Sequence, residues 1–308
     1  MHQQKIRLAT RESPLALAQA DFIGNLLRSY WPSLTIERVS MSTTGDRFLS
    51  DSLLKIGGKG LFVKELEEAL LDGRADIAVH SMKDVPIHFP DGLSLAVICT
   101  RENPFDAFIS NTYKTMEDLP LGATVGTSSL RRQAQLLALR PDLNIKPLRG
   151  NVGTRLGKLN NKEFDAIVLA TAGLNRLHLE HLIASSFNEK TLLPACGQGA
   201  LGIECRTQDE AIKALLAPLH DPMATSCVQT EREVNAYLGG SCHAPIAIYC
   251  RPDENDMLLL DALVAATDGQ RIIRAQEKGP IHTSADMSKR CAEKLFDHGA
   301  HELLQSIA

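Results

Sequence analysis

The chain has 308 residues, with 33 Lys and Arg against 37 Asp and Glu, a formal net charge of −4. Such mild acidity argues against a general nucleic-acid binder, and 44% hydrophobic with 23% charged residues is the composition of a soluble globular protein. At about 150 residues per domain the length suggests two domains, or three small ones.

The opening residues carry Lys5, Arg7, Arg11 and Glu12 without the apolar core of a leader, so a cytoplasmic location is expected. Ile6 to Ala9 reads as a strand. Ser13 then caps a helix with Pro14 at its first position, and Leu15, Leu17, Ala18, Phe22 and Leu26 give its apolar stripe, stopped at Pro32. A second strand is expected at Thr35 to Val39. Gly57-Gly58-Lys59-Gly60 lacks the spacing and the Ser/Thr of a phosphate-binding P-loop. A lid carrying Lys55 and Lys59, or a plain surface loop, both fit it. A helix is expected from about Leu61 to Asp72, ended by Gly73.

The strand Ile77 to Val79 runs into His80-Ser81-Met82-Lys83-Asp84-Val85-Pro86. Ligands bind at the carboxyl ends of strands in α/β folds, which makes Ser81, Lys83 and Asp84 site candidates; an exposed turn is the alternative. Further strands are expected at Leu93 to Ile98, Thr124 to Val125, Asn144 to Leu148 and Ala166 to Leu169. Thr127, Ser128 and Ser129 cap a helix whose first turn holds Arg131 and Arg132. Strands alternating with helices in this way predict α/β units with largely parallel sheets. The last ninety residues differ: a helix at Thr225 to Leu238, strands at Pro245 to Tyr249, Met257 to Val264 and Arg271 to Ala275, an Asp268-Gly269 hairpin, and a helix at Ser284 to Phe296 predict a small α+β unit.

Charge is uneven. From Gly126 to Arg176 there are nine basic and three acidic residues, a local +6 against −10 for the remainder. Arginine forks at helix starts suit carboxylate or phosphate ligands, while a solvated basic face with ordinary ion pairs fits the count equally well. Only 5% of residues are aromatic and none interleaves with these arginines, so a stacking platform for nucleic acid is not expected. The longest run free of Asp, Glu, Lys and Arg, Val234 to Cys250, is short for a membrane span and broken by Gly239, Gly240 and Pro245. Seven cysteines without a C-x-x-C pair fit neither a disulfide framework nor a zinc site, so reduced thiols and no metal are expected. Cys242, just beyond a helix end, is either a presented thiol or a buried structural cysteine, and the adjacent His243 diverges too far to act as its base.

Four segments together carry a specific resemblance: Val79 to Pro86, Gly126 to Arg132, Leu148 to Arg155, and Glu231-Arg232 through Cys242 to Pro245. Across essentially the whole chain they resemble the hydroxymethylbilane synthase, or porphobilinogen deaminase, family. The resemblance implies two periplasmic-binding-protein-like α/β domains with mixed, largely parallel sheets joined by a hinge, plus a small α+β C-terminal domain. Its implied boundaries are 1–99 with 200–217 for a discontinuous domain 1, 105–193 for domain 2 and 222–308 for domain 3.

The implied activity is condensation of four porphobilinogen molecules head to tail, with release of ammonia, into a linear tetrapyrrole primed by a covalent dipyrromethane cofactor. It implies that Cys242 holds the cofactor through a thioether and that Asp84 is the catalytic carboxylate. Lys83, Asp84, Ser129, Arg131 and Arg132 would hold the cofactor, and Arg11, Ser13, Thr127, Ser128, Arg149, Arg155 and Arg176 the substrate carboxylates. Lys55, Lys59 and Phe62 would belong to the lid, and a monomer is implied. Ala244 departs from the family's usual β-branched residue or threonine, which bears on local packing and not on the thioether. The competing class is a non-catalytic solute-binding module, which would need neither Cys242 nor Asp84.

Overall fold

A computed structural model describes residues 5–44, 63–240 and 244–305. In chain order its first elements are β1 (Lys5–Arg11), α1 (Pro14–Tyr30), β2 (Thr35–Met41), α2 (Lys64–Leu71), β3 (Ile77–Ser81), β4 (Leu93–Ile98) and β5 (Asp106–Ile109). Then come β6 (Thr124–Gly126), α3 (Leu130–Leu139), β7 (Asn144–Lys146), α4 (Val152–Asn160), β8 (Ala166–Ala170), α5 (Thr171–Arg176) and β9 (Ser185–Ser186). The remainder is β10 (Leu201–Arg206), α6 (Glu210–Leu216), α7 (Pro222–Tyr237), β11 (Ile246–Pro252), β12 (Met257–Ala265), β13 (Ile272–Pro280), α8 (Ser284–Asp297) and α9 (Ala300–Gln305). They fall into two compact units, Met1–Glu102 with Ala200–Thr225, and Asn103–Gly199 with Ser226–Ala308. No helix among the described residues is long and apolar enough to cross a membrane.

The first unit is built on a sheet of order β2-β1-β3-β10-β4. Strand alternation sends Ile6, Leu8, Ile77, Val79, Leu201 and Ile203 to one face, where Ile23 and Leu27 of α1 and Ile212, Leu215 and Leu216 of α6 cover them. The other face carries Ala9 and Ala78 beneath Leu66, Ala69 and Leu70 of α2. Each such Leu or Ile contributes about 1.5–3 kcal/mol by leaving water. The stripe expected on α1 is out of phase. Its buried face is Ala16, Ala20, Ile23, Gly24 and Leu27, while Phe22 is 47% exposed. Small residues win because the helix packs close to the sheet: a Cβ on Gly24 would already touch Ile36 at 3.7 Å.

The second unit holds a sheet of order β7-β6-β8-β5-β9 and an antiparallel sheet β11-β12-β13. Phe108, Val125, Leu136 and Val168 fill one side of the first sheet, and Ile109, Ile167, Leu169, Leu159 and Leu174 the other. Ala134 of α3 packs with Ala247, Tyr249 and Leu263 of the three-stranded sheet. The β12–β13 hairpin presses on the same helix. A Cβ on Gly269 would meet Ala138 N at 2.5 Å, and its φ of +74° favours glycine independently.

The two five-stranded sheets are mixed rather than largely parallel. β1–β2, β1–β3, β6–β7 and β6–β8 are parallel, whereas β3–β10, β10–β4, β5–β8 and β5–β9 are antiparallel. The antiparallel half comes from β5, β9 and β10, which the apolar runs do not reveal. Gly202 and Glu204 interrupt β10, and Asp106 opens β5.

Candidate active site

In the first unit the expected residues sit at the carboxyl ends of two adjacent parallel strands. Arg11 ends β1, and Ser13 caps α1 by accepting from Ala16 N at 3.3 Å. At the end of β3 the chain turns through a 3-10 segment, Met82–Asp84, carrying Lys83 and Asp84. Three contacts fix that turn: Gln19 Nε2 donates to Ser81 Oγ at 2.8 Å, Met82 N to Ala200 O at 3.0 Å, and Val85 N to Met82 O at 3.2 Å. Met82 is buried, and Gly202 of β10 makes room for it, since a Cβ there would run into Met82 Sδ. Asp84 is half-buried, and its carboxylate makes no hydrogen bond or ion pair with a described residue. Its turn is therefore held by backbone and by neighbours, leaving both oxygens for a ligand.

In the second unit, three parallel strands, β6, β7 and β8, end at one edge. Thr127, Ser128 and Ser129 follow β6. Thr127 Oγ1 accepts from Ser129 N at 3.2 Å, Ser129 caps α3 by accepting from Arg132 N, and Ser128 Oγ donates to Leu148 O at 3.0 Å. The last contact ties the β6 turn to the turn that carries Arg149. There Gly150, at φ +111°, and Asn151, accepting from Thr154 N at 2.9 Å, start α4. Arg155 Nε donates to Gly150 O at 2.8 Å, and Arg176, at the end of α5, donates through Nη2 to Gly199 O at 2.7 Å.

Arg131 and Arg132 are buried at the base of this edge, not displayed on it. Both grip Asp106, which is fully buried at the start of β5, opposite Ala170 at the end of β8. Arg131 Nη2 reaches Oδ2 at 2.8 Å; Arg132 Nη2 and Nε reach Oδ1 at 2.7 and 3.1 Å. One further nitrogen of each donates to a backbone carbonyl, Leu193 O for Arg131 and Val168 O for Arg132, both at 2.8 Å. Gln198 Nε2 adds a bond to Asp106 Oδ1 at 3.0 Å. Burial pushes the Asp106 carboxyl up, but the two guanidiniums prevail and hold it well below the usual carboxylate range. Two guanidiniums against one carboxylate leave a net positive charge in a low-dielectric setting, an arrangement complementary to an anionic group.

Asp106 and Gln198 are absent from the sequence expectations. The only signal for Asp106 was a carboxylate opening a short apolar run, Asp106-Ala107-Phe108-Ile109. Lys55, Lys59, Phe62 and Cys242 lie outside the described residues. Of the other six cysteines, Cys99, Cys205, Cys227, Cys250 and Cys291 are buried and Cys196 half-buried.

A mixed-sheet α/β protein with hydroxyls, arginines and a carboxylate unpaired among the described residues at its strand ends has the form of an enzyme acting on an anionic small molecule. Residues 6–214 match the family model for the porphobilinogen deaminase dipyromethane cofactor binding domain, and residues 225–297 match that for the porphobilinogen deaminase C-terminal domain. The chain is 54% identical over 307 residues to proteins named porphobilinogen deaminase in Legionella pneumophila strains Lens and Philadelphia 1, covering 100% of this chain and 99% of each relative. A solved putative methionine-binding lipoprotein from Bacillus subtilis is similar at 18% identity and a TM-score of 0.43, covering 73% of this chain and 93% of that one. The chain belongs to the porphobilinogen deaminase family. It is a transferase of tetrapyrrole biosynthesis that joins four porphobilinogen molecules into hydroxymethylbilane by way of a dipyrromethane cofactor.

Proposed function

We propose that this chain carries out the condensation with Asp84 as its reactive carboxylate, Cys242 as the cofactor's attachment point and the strand-end arginines as carboxylate holders. The observation that carries this reading is Asp84 itself, a half-buried carboxylate on a turn fixed by others and unpaired among the described residues. Nothing in the packing uses its charge.

The donor set fits a dipyrromethane. Such a group bears acetate and propionate side chains, and the Asp106 cluster holds more positive than negative charge. Ser129, Arg131, Arg132, Lys83 and Asp84 would hold it, and when bound it supplies the pyrrole carbon from which the chain grows. The Cys242 thiolate is a strong nucleophile towards an electrophilic methylene-pyrrole, and a C–S bond resists hydrolysis.

Asp84 would accept hydrogen bonds from pyrrole N–H groups, assist proton transfer as ammonia departs from the substrate, and stabilise the positive charge left on its ring. Arg11, Arg149, Arg155 and Arg176, with Ser13, Thr127 and Ser128, would hold the acetate and propionate of each porphobilinogen. A charge-assisted contact of this kind is worth about 1.5–3 kcal/mol. Lys55, Lys59 and Phe62 are assigned to a lid, and the active species to a monomer.

Intact-mass measurement of the purified protein tests the attachment. An adduct of two pyrrole units is expected, absent from Cys242→Ser. An unmodified wild-type protein that turns over porphobilinogen would refute it.

A further inference from the structure

On the α2 side of the first unit's sheet, three ionisable side chains are buried together. His80 of β3 and Glu204 of β10 share this face, because Glu204 pairs in register with Ala78 and Gly202 with His80. His80 Nε2 lies 2.8 Å from Glu204 Oε2, with side chains only 3% and 1% exposed. Glu67 descends from α2 and is 8% exposed. Glu67 Oε1 and Glu204 Oε1 are both buried without a hydrogen-bond partner among the described residues. Strand alternation also places Lys5, Arg7, Arg11, Glu37 and Arg206 on this face; Lys5 pairs with Glu37, and Arg7 and Arg206 both pair with Asp76. The surrounding residues of β1, β3 and β4, Ala9, Ala78 and Leu93, are apolar.

Charge balance constrains this cluster. Two charged carboxylates buried side by side repel each other and lose hydration, at a cost of several kcal/mol. A proton on Glu67 removes that cost. Burial, reinforced by the negative charge of Glu204 and opposed by His80, pushes the Glu67 carboxyl up to about 7. Neither group is needed for apolar packing, and Leu66 and Leu70 on the same helix already supply it.

The cluster joins three elements, and two of them locate Asp84. β3 leads from His80 through Ser81 into the Met82–Asp84 turn, and Ala200, at the head of β10, accepts from Met82 N. The His80–Glu204 contact therefore clamps the strand pair from which that turn projects.

We propose that Glu67, His80 and Glu204 form a buried cluster, its His80–Glu204 contact bridging β3 and β10, that acts as a positioning element for the Asp84 turn. The proposal rests on the reading of Asp84 as the reactive carboxylate, while the His80–Glu204 contact is observable without it.

The test is nitrogen NMR of histidine-labelled holoenzyme near pH 7, with steady-state kinetics of the same samples. The His80 ring-nitrogen signals should be alike in the wild type and in Glu67→Gln, whose amide reproduces a neutral carboxyl, and should shift in Glu204→Gln, which loses the carboxylate that Nε2 faces. Glu67→Gln should keep kcat and KM within about twofold, whereas Glu204→Gln should lose about ten- to a hundredfold in kcat with little change in KM. His80 signals unchanged in Glu204→Gln overturn the proposal, as does a Glu67→Gln variant impaired as severely as Glu204→Gln. If Glu204→Gln fails to fold, Glu204→Asp, which keeps the charge and withdraws it by one methylene, gives the same comparison. An active Asp84→Ala with wild-type His80 signals would remove the Asp84 assignment alone, and an unimpaired Glu204→Gln beside an inactive Asp84→Ala would remove the cluster alone.

Discussion

Arg132 holds Asp106 through two nitrogens, Nη2 at 2.7 Å and Nε at 3.1 Å, both on the same carboxylate oxygen. With Arg131 on the other oxygen, the pair makes Asp106 the anchor of the basic strand-end edge. Asp106→Ala would strand two buried guanidiniums, a change that typically costs about 3–5 kcal/mol. Urea unfolding should show that loss, and intact mass should show reduced cofactor content. Because the native carboxyl is held below its unfolded value, its contribution is present above the ordinary carboxylate range and lost only as pH falls through the depressed native value. Wild-type stability in excess of the variant's should therefore persist down to about pH 4. Equal stabilities at neutral pH would contradict the anchoring role.

Asp84→Ala should leave folding intact, since its carboxylate has no partner among the described residues to lose. Its unfolding midpoint should match the wild type within about 0.5 kcal/mol, the range of substitutions away from packed contacts. Turnover should be negligible. Near-normal ammonia release from porphobilinogen would count against the assigned role.

Gly202→Ala places a methyl group against Met82 Sδ and within 2.8 Å of Leu95 Cδ1. Overpacking of this kind costs about 1–3 kcal/mol, and relief requires Met82, hence the Asp84 turn, to move. A fall in kcat larger than any rise in KM is expected from steady-state assays. A variant with wild-type kcat would show that the turn tolerates displacement.

Glu67 gives a pH-dependent stability term of opposite sign to that of Asp106. Its native value, raised to about 7, exceeds the unfolded one, so its contribution is complete below about pH 4.5 and is lost as pH rises through about 7. The loss amounts to about 3 kcal/mol. Chemical unfolding at pH 5 and pH 8 should show a larger difference for the wild type than for Glu67→Gln. An identical difference in both would place the proton elsewhere.

Burial pushes the Cys205 thiol up to about 11 and that of Cys291 to about 12, so neither forms appreciable thiolate near pH 8. Brief alkylation of the native protein followed by peptide mapping should modify half-buried Cys196 before either. Early labelling of Cys291 would mean that α8, which carries it, opens readily.

Local chemistry was the legible part of the sequence. Ser13 and Ser129 cap their helices because the cap is decided within three residues, and Gly73 and Gly269 mark a helix end and a hairpin through a positive φ that is a local property. Long-range relations left weaker traces. Asp106 meets its arginines 25 and 26 residues later, and nothing beside it distinguishes an anchor from a surface carboxylate. The face of α1 was misread because Ala16, Ala20 and Gly24 are buried for their small size, which a hydrophobicity stripe undervalues. Glu67 and Glu204 look like solvated charges until the α2-facing side of the sheet is assembled. The assignments of Arg149, Arg155 and Cys242 rest on resemblance, because the residues alone equally allowed a solvated basic face for the arginines and a buried structural cysteine for Cys242.

The position of β10 also sets an order of events at the ribosome. This strand pairs with both β3 and β4, yet it is synthesised only after the whole of Asn103–Gly199. Until then β3 and β4 each offer an unpaired edge to any passing strand. The stretch beginning at Asn103 has its own five-stranded sheet ready first, so the nascent chain carries an incomplete amino-terminal sheet while later residues fold. A product ending near residue 200 would lack the strand that joins β3 to β4, a species for chaperones or proteases to handle.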